Sequence, residues 1–308
     1  MQTLSQYYES IFGCKTYKIS LDAGCTCPNR DGTKGTGGCI FCSQNGNGDF
    51  AASRKLSIHE QFEQCKKLVE AKLRGRSGVR QGKYIAYFQN FSSTYGDAKT
   101  LLGKYKEALA FENVAGLAVA TRPDCLSDEI LQGLTEISKT CFVQIELGLQ
   151  TSNEATGRLI NRCYTNEDYI AAVSCIQKTA PDIHIVTHLI FGLPGETEED
   201  MLNSVRFVTS VSLSGLTRQS SFGIKITSLY ILKNTRLATM YEDGEYQPLS
   251  KEEYFRLLEK ALPLLPENCI IHRLTGDPPK SILFAPEWPK DKKRVLNELS
   301  AVIARYYF

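Results

Sequence analysis

Short apolar runs alternate along this chain with longer segments that carry apolar residues on one helical face. Each run is often rich in β-branched residues and is bounded by loop residues, which predicts a strand. The segments between the runs predict helices, so the chain alternates strand and helix. The predicted strands are Tyr17–Asp22, Tyr84–Phe88, Val114–Thr121, Phe142–Leu147, Ile183–Phe191 and Gly223–Tyr230.

Local signals mark where several of the predicted helices begin. His59–Arg74 has a continuous apolar face. Serine or threonine just ahead of a helical segment accepts hydrogen bonds from its first free N–H groups, and a glutamate three residues later completes a capping box. Such residues are Ser127, Thr165 ahead of Asn166–Lys178, and Ser250 with Glu253 ahead of Tyr254–Leu265.

Six strand–helix units in succession predict an α/β fold with a parallel sheet and right-handed crossovers. Eight units would close a full barrel, so six predict a partial (β/α)6 barrel related to the TIM barrel, whose reactive groups collect at the C-terminal ends of the strands. We expect this barrel to span residues 1–267. Residues 268–308, with a strand-like Cys269–Arg273, are expected to form a small C-terminal extension packed on the same domain.

The protein as a whole is not a polycation, because the formal net charge of its 308 residues is only +2. Nucleic-acid binding would need local patches. Two exist in the sequence, one over residues 66–83 and one at Lys290–Arg294, although basic runs are usually solvated faces. No apolar run has membrane-spanning length and the N-terminus lacks signal-peptide features, so a cytoplasmic protein without membrane contact is expected.

Three of the eleven cysteines, Cys27, Cys39 and Cys42, lie in a glycine-rich loop after the first predicted strand. Three thiolates can hold a [4Fe-4S] cluster and leave one iron open for S-adenosylmethionine (SAM), with Phe41 placed to pack on the adenine. A structural zinc site is the alternative, but zinc usually takes four ligands and no second cysteine pair completes a set. Cys25 is treated as a bystander.

Further motifs follow the loop in order. They include Tyr87-Phe88-Gln89, Thr121-Arg122-Pro123-Asp124, Gly148-Leu149-Gln150-Thr151, Gly192-Leu193-Pro194-Gly195 and His272-Arg273-Leu274-Thr275-Gly276-Asp277. Together with the cysteine loop they make nearly the whole chain resemble radical SAM enzymes, of the subfamily that includes YtqA (also called MnmL) and YhcC. Elongator-like and coproporphyrinogen-dehydrogenase-like enzymes are related to it. The wide cysteine spacing is typical of this subfamily.

The resemblance implies a SAM site at the strand ends. Gln150 is expected near the ribose or methionine part of SAM, and Arg162 at its carboxylate, unless Arg162 is only a solvated charge. Gln89 and Asn90 lie where the family binds the amino group. The remaining residues assigned to SAM are Glu146, which needs a polar partner if it points inward; His188, where relatives often have aspartate; and Gly192 with Leu193, whose backbone can approach adenine.

The resemblance also implies a reaction. The YtqA group acts on the wobble uridine of transfer RNA (tRNA), converting carboxymethylaminomethyl-uridine to aminomethyl-uridine. We therefore expect tRNA as a partner, together with an electron donor such as flavodoxin or ferredoxin. Two alternatives stay open: the same radical chemistry on a small molecule or a protein, and a non-catalytic, zinc-stabilised RNA-binding module.

Overall fold

The computed structural model describes residues 1–44, 46, 51–75, 78–79, 82–215 and 221–306. Twelve strands lie in this part of the chain. They are β1 (Gln2–Thr3), β2 (Thr16–Leu21), β3 (Arg74–Gly75), β4 (Gly78–Val79), β5 (Lys83–Phe88), β6 (Val114–Thr121), β7 (Phe142–Gln150), β8 (His184–Phe191), β9 (Phe222–Ser228), β10 (Ile231–Leu232), β11 (Cys269–Arg273) and β12 (Leu283–Ala285).

Ten α-helices connect or flank these strands within the described residues. Short 3₁₀ turns occupy Pro123–Cys125, Leu262–Leu264 and Trp288–Lys290. The helices are α1 (Leu4–Phe12), α2 (Ile58–Leu73), α3 (Ala98–Leu109), α4 (Asp128–Ser138), α5 (Glu154–Leu159), α6 (Asn166–Thr179), α7 (Glu198–Leu213), α8 (Arg236–Glu242), α9 (Lys251–Ala261) and α10 (Lys292–Ala304).

Eight strands form one sheet in the order β1-β11-β9-β8-β7-β6-β5-β2, and every neighbouring pair is parallel. The six predicted strands are confirmed as β2, β5, β6, β7, β8 and β9, in sequential order across the sheet. This arrangement confirms the partial barrel. Beyond the six, β11 extends the sheet past residue 267, so part of the expected extension belongs to the barrel wall; the division at 267/268 itself stays a prediction.

The predicted helix starts are confirmed by their hydrogen bonds. Ser127 accepts a hydrogen bond from the backbone N–H of Ile130, and capping boxes form at Thr165 and Ser250. The prediction for the last of these helices was wrong at its end. Helix α9 stops at Ala261, because Pro263 cannot supply the next backbone N–H and the chain tightens into a 3₁₀ turn.

Two layers of apolar side chains hold the barrel together. Alternate strand residues such as Leu117 and Val119 face outward and pack on the helices in the main core. Inward-facing Ala118 joins Ile85 and α1, whose Tyr8 is buried, in a cluster that closes the N-terminal end of the barrel. The opposite end stays free for a ligand. Over the described ranges, no helix combines the length and apolar character needed to cross a bilayer.

Candidate active site

The cysteine loop is held in place by polar contacts with the two loops beside it. Asn29 is fully buried and donates a hydrogen bond to the backbone carbonyl of Asn161. In return, Asn161 Nδ2 donates to the carbonyl of Gly38 at 2.8 Å. Lys34 forms an ion pair of 2.7 Å with Asp124, which follows β6. The loop that carries the cysteines is therefore tied to the ends of β6 and β7 by contacts remote in sequence.

One glycine of the loop is required by geometry. Gly38 has φ +78°, and a Cβ atom there would lie 2.8 Å from Nε of Arg30. The Arg30 guanidinium crosses behind the loop and donates to the carbonyl of Ser43 at 2.6 Å. A side chain at position 38 would strain the backbone and displace this brace, so the turn that leads into Cys39 depends on glycine.

A cavity of about 220 Å³ opens at the C-terminal ends of the strands. Cys27, Cys39 and Cys42 all line it. The other residues assigned from the sequence that line the same cavity are Phe41, Gln89, Glu146, Gln150 and His188. The fold thus brings these eight residues to one site from five separate segments of the chain.

Arg122, after β6, places a positive charge beside the cysteines. Its guanidinium pairs with both oxygens of Asp124 at 2.8 Å, and its Nη1 lies 3.8 Å from Cys27 Sγ. Although burial opposes the charge, the Asp124 pair raises the pKa of Arg122 above its ordinary value. Arg122 thus places a permanent positive charge beside the sulfur of the first cysteine of the loop.

Cys39 and Cys42 are coupled through a hydrogen bond. That bond, with burial and the nearby Cys42 charge, raises the pKa of Cys39 well above its ordinary value. A metal group must therefore displace a proton from this pair, as thiolate ligands generally require. Within the described ranges no three His, Cys, Asp or Glu side chains converge on a single-ion site. A four-iron cluster is larger than one ion, and its ligands sit at separate corners.

Gln150 has the features of a ligand-binding side chain. It lines the cavity, yet its Oε1 is buried without a hydrogen-bond partner. Its backbone has φ +69°, a left-handed conformation that costs a glutamine energy and that accumulates at functional sites. Gly148 makes room for it, because a Cβ there would lie 2.5 Å from Gln150 Nε2. A side chain that lines a cavity and retains an unpaired acceptor fits a bound donor group such as a ribose hydroxyl.

Arg162 does not line the cavity. Its side chain is completely buried. Nη1 donates to the carbonyls of Leu149 at 3.1 Å and Thr151 at 2.6 Å, and Nε donates to that of Tyr164 at 2.9 Å. Nη2 contacts Glu154 at 3.3 Å. Arg162 is therefore not a solvated charge. Its donors fasten the chain after β7, and its assignment to the SAM carboxylate receives no support from this geometry.

Three further predicted residues lie behind the cavity wall. Asn90 is buried and donates to Asp22 at 2.6 Å, leaving its Oδ1 unpaired. The carbonyl of Gly192 accepts a hydrogen bond from the Tyr246 hydroxyl at 2.6 Å, and Leu193 packs in a small apolar cluster. These residues do not line the cavity, so direct SAM contacts from Asn90, Gly192 and Leu193 receive no support from its geometry.

Glu146 points into the barrel and has the polar partners that an inward carboxylate needs. Lys18 and Lys225 both form ion pairs with it, the former at 2.5 Å. Burial opposes its charge, yet the two lysines hold the pKa of Glu146 well below its ordinary value. His188 lines the cavity as a neutral ring, because burial lowers its pKa to about 3, and it hydrogen-bonds Thr227 at 2.9 Å.

The sequence interpretation missed several cavity residues. Arg122 and Tyr87 stood within quoted motifs without an assigned role. Lys225 and Ser228, on β9, carried no local signal, because an isolated lysine or serine in a strand is ordinary. Only the curled sheet of the folded barrel shows that both residues line the cavity.

Comparison with known proteins decides the family. A model described as the Radical SAM superfamily matches residues 30–208, more than half of the chain. The chain belongs to the radical SAM superfamily. A second model, the Radical_SAM C-terminal domain, matches residues 222–305. The first match begins just after Cys27, so the case for that residue as a ligand rests on the cavity geometry and on the contact with Arg122.

Relatives that align with nearly the whole chain occur in bacteria. The chain is 37% identical to YtqA of Bacillus subtilis over 298 residues, covering 97% of this chain and 88% of YtqA. It is 33% identical to YhcC of Escherichia coli over 294 residues, covering 94% and 87%. Among solved structures, archaeal Elp3 of Methanocaldococcus infernus matches with TM-score 0.60 and 16% identity, over 87% of this chain and 58% of that one. This last likeness shows the fold alone.

Family membership makes this chain a radical SAM enzyme whose cofactors are a [4Fe-4S] cluster and SAM. The described residues fit both groups. Three cysteines share one cavity wall, and the same cavity is lined by Gln150 and Ser228, each of which has a buried oxygen without a hydrogen-bond partner. When bound, the two cofactors together supply a 5′-deoxyadenosyl radical.

Proposed function

We propose that this enzyme modifies tRNA, removing the carboxymethyl group from carboxymethylaminomethyl-uridine at the wobble position to leave aminomethyl-uridine. Cys27, Cys39 and Cys42 are the proposed cluster ligands. Phe41, Gln89 and Gln150 are the proposed contacts to SAM. The observation that carries the proposal is the cavity itself, which combines the three cysteines with unpaired polar groups and a cationic floor at the open end of a partial barrel.

The proposed conversion balances with SAM as the two-electron oxidant. The substrate methylene next to the carboxylate loses a hydrogen atom to the deoxyadenosyl group, and a further electron and the N–H proton leave to form a C=N bond. Water then adds and releases the amine and a two-carbon aldehyde acid. Substrate, SAM and water thus give aminomethyl-uridine, glyoxylate, methionine, 5′-deoxyadenosine and a proton.

Two observations support a tRNA substrate. A tRNA-2-methylthio-N(6)-dimethylallyladenosine synthase of Acetivibrio thermocellus is 29% identical over 194 residues, covering 62% of this chain and 38% of that enzyme. In addition, the basic start of α10 adjoins the cavity mouth, because Lys292 pairs with the mouth residue Asp277. Exposed cations beside an open cavity suit a phosphate backbone. In the other basic run, Arg76 and Arg80 lie outside the described residues.

Cofactor loading tests the ligand assignment first. Anaerobically reconstituted protein should bind four irons per chain and, with a reductant such as flavodoxin or ferredoxin, cleave SAM to 5′-deoxyadenosine. Cys39→Ala should lose both properties. Cys175→Ala on α6, which does not line the cavity, is the matched control and should keep both. Retention of the cluster by Cys39→Ala would refute the ligand set, and zinc without iron would favour the zinc-stabilised module.

Nucleoside analysis tests the substrate. In tRNA from a strain lacking this gene, mass spectrometry should show carboxymethylaminomethyl-uridine accumulating and aminomethyl-uridine and its derivatives disappearing. Complementation with the wild-type gene should reverse the change, and the Cys39→Ala gene should not. An unchanged nucleoside profile, with SAM cleavage intact in the purified protein, would redirect the chemistry to a small molecule or a protein.

A further inference from the structure

A layer of charged side chains crosses the barrel at the floor of the cavity. Its centre is Glu146, whose side chain is only 4% exposed. One carboxylate oxygen accepts from Lys18 and from Gln144, each at 2.5 Å. The other accepts from Tyr87 at 2.5 Å and from Lys225. Each oxygen of Glu146 already has two donors, so this carboxylate has no capacity left for a ligand.

With both of its lysines protonated, the layer carries one positive charge too many. Lys18 and Lys225 contribute two ammonium groups and Glu146 a single carboxylate, all in the barrel interior. The other groups facing Lys225 supply no further negative charge. Burial lowers the pKa of His188 to about 3, so its ring is neutral. Arg273 is itself a cation and lies 3.5 Å from Asp277. A buried charge without a counter-charge is costly.

Lys225 is the member of the layer that faces the ligand space. It lines the cavity, whereas Lys18 does not. An ammonium group has three N–H donors. Glu146 and Tyr87, the latter at 3.2 Å, take two of those of Lys225.

We propose that Lys225 binds the carboxylate of the substrate side chain at the cavity floor. The inference rests on the proposed function, which supplies a substrate with one carboxylate on the group to be removed. A monoanion matches the single excess charge. A backbone phosphodiester has the same charge, but it belongs to a polymer that stays at the mouth, while the floor lies inside the barrel. The carboxylate of SAM is the competing source, and the test separates the two.

Binding experiments on the holoenzyme without reductant test the site, because no turnover then occurs. Two anticodon stem-loops are compared by fluorescence anisotropy, one with carboxymethylaminomethyl-uridine and one with its neutral carboxamide. Wild type should bind the carboxylate form ~10- to 100-fold more tightly. Lys225→Met should bind both equally while keeping the Lys18–Glu146 pair. Lys99→Met, at an exposed position on α3, is the control and should retain the preference.

Two outcomes would overturn the assignment. One is a Lys225→Met enzyme that still prefers the carboxylate stem-loop. The other is a wild type without a preference, together with a Lys225→Met variant that loses ~10-fold in SAM affinity by equilibrium dialysis, because the carboxylate bound by Lys225 would then be that of SAM.

A measurement that needs no RNA separates failure of this site from failure of the proposed function. Burial lowers the pKa of Lys225 to about 7, with Glu146 opposing the shift and Lys18 adding to it. N-methylglycine is a free carboxylate that resembles the substrate side chain. In SAM-loaded protein it should raise the midpoint of the Lys225 titration by about one pH unit, which carbon-13 NMR of labelled lysine measures. A raised midpoint with no tRNA conversion leaves the carboxylate site standing and removes the tRNA assignment; an unmoved midpoint in an enzyme that converts tRNA removes the site alone.

Discussion

Two regions at the end of β7 contain polar side chains that the sequence assigned to the same ligand. In the first, Gln150 faces the cavity with a left-handed backbone and a buried, unpaired oxygen. In the second, behind the wall, Arg162 is completely buried and spends its donors on backbone carbonyls and on Glu154. Both residues lie close to the end of β7, but only Gln150 lines the cavity and retains a polar atom without a hydrogen-bond partner.

The difference separates a side chain that can bind a ligand from a side chain that stabilises the fold. A buried polar group without a partner costs free energy, so one on a side chain that lines a cavity is a candidate for binding a ligand. A buried polar group with every partner in place stabilises the fold and has nothing to offer a ligand. We therefore expect substitutions in the Arg162 region to act on the free energy of unfolding and substitutions at Gln150 to act on affinity for SAM.

The largest effect is expected at Arg162. Arg162→Met should lower the free energy of unfolding by about 3–5 kcal/mol, because it leaves several buried carbonyls and Glu154 without their donor. Urea unfolding followed by circular dichroism measures this. Arg158→Met, exposed on α5, is the control and should stay within about 0.5 kcal/mol of wild type. Unchanged stability with lost SAM affinity would restore Arg162 as a ligand-binding residue.

Glu196 tests whether an unpaired oxygen matters when it does not face the cavity. Its Oε1 accepts from the Thr151 hydroxyl, while its Oε2 is buried and unpaired. Burial raises the pKa of Glu196 to about 7 from its ordinary 4.5. The unfolded chain thus releases this proton at lower pH than the folded one, so stability due to Glu196 is complete below pH 4.5 and is lost as the pH rises to about 7.

Glu196→Gln removes this titration. The variant should therefore gain stability relative to wild type between pH 4.5 and pH 7, by at most about 3 kcal/mol, and affinity for SAM should not change. Urea unfolding at a series of pH values measures the difference. A constant difference across that range would contradict the assignment, as would weakened SAM binding.

The smallest effect on stability is expected at Gln150, where the change should appear in binding. Gln150→Ala should weaken SAM binding by about 10-fold, the equivalent of one hydrogen bond of about 1.4 kcal/mol. Its unfolding midpoint in urea should match that of wild type. Gln132→Ala, exposed on α4, provides the control. Equilibrium dialysis with labelled SAM gives the affinities, and an unaltered affinity in Gln150→Ala would falsify the distinction drawn between the two regions.

The sequence predicted most of the sheet and the helix starts because these depend on local patterns. Val114–Thr121 is a strand to the residue, since an apolar run with loop residues at both ends needs no distant information. The N-cap at Thr165 follows equally from neighbouring side chains. The roles of Arg162 and Lys225 were not predictable in this way, because each depends on partners that lie on other elements.

By itself, then, the sequence determined the order of strands and helices, the glycine-rich loop with its three cysteines, and the resemblance to radical SAM enzymes. Each of these features depends on residues that lie close together along the chain. The tertiary structure alone decided which polar side chains face the cavity. Glu146 meets Lys18 and Lys225 only when β2, β7 and β9 curl around a shared interior. Burial and pairing across strands, rather than residue type, then distinguish a ligand-binding group from a structural one.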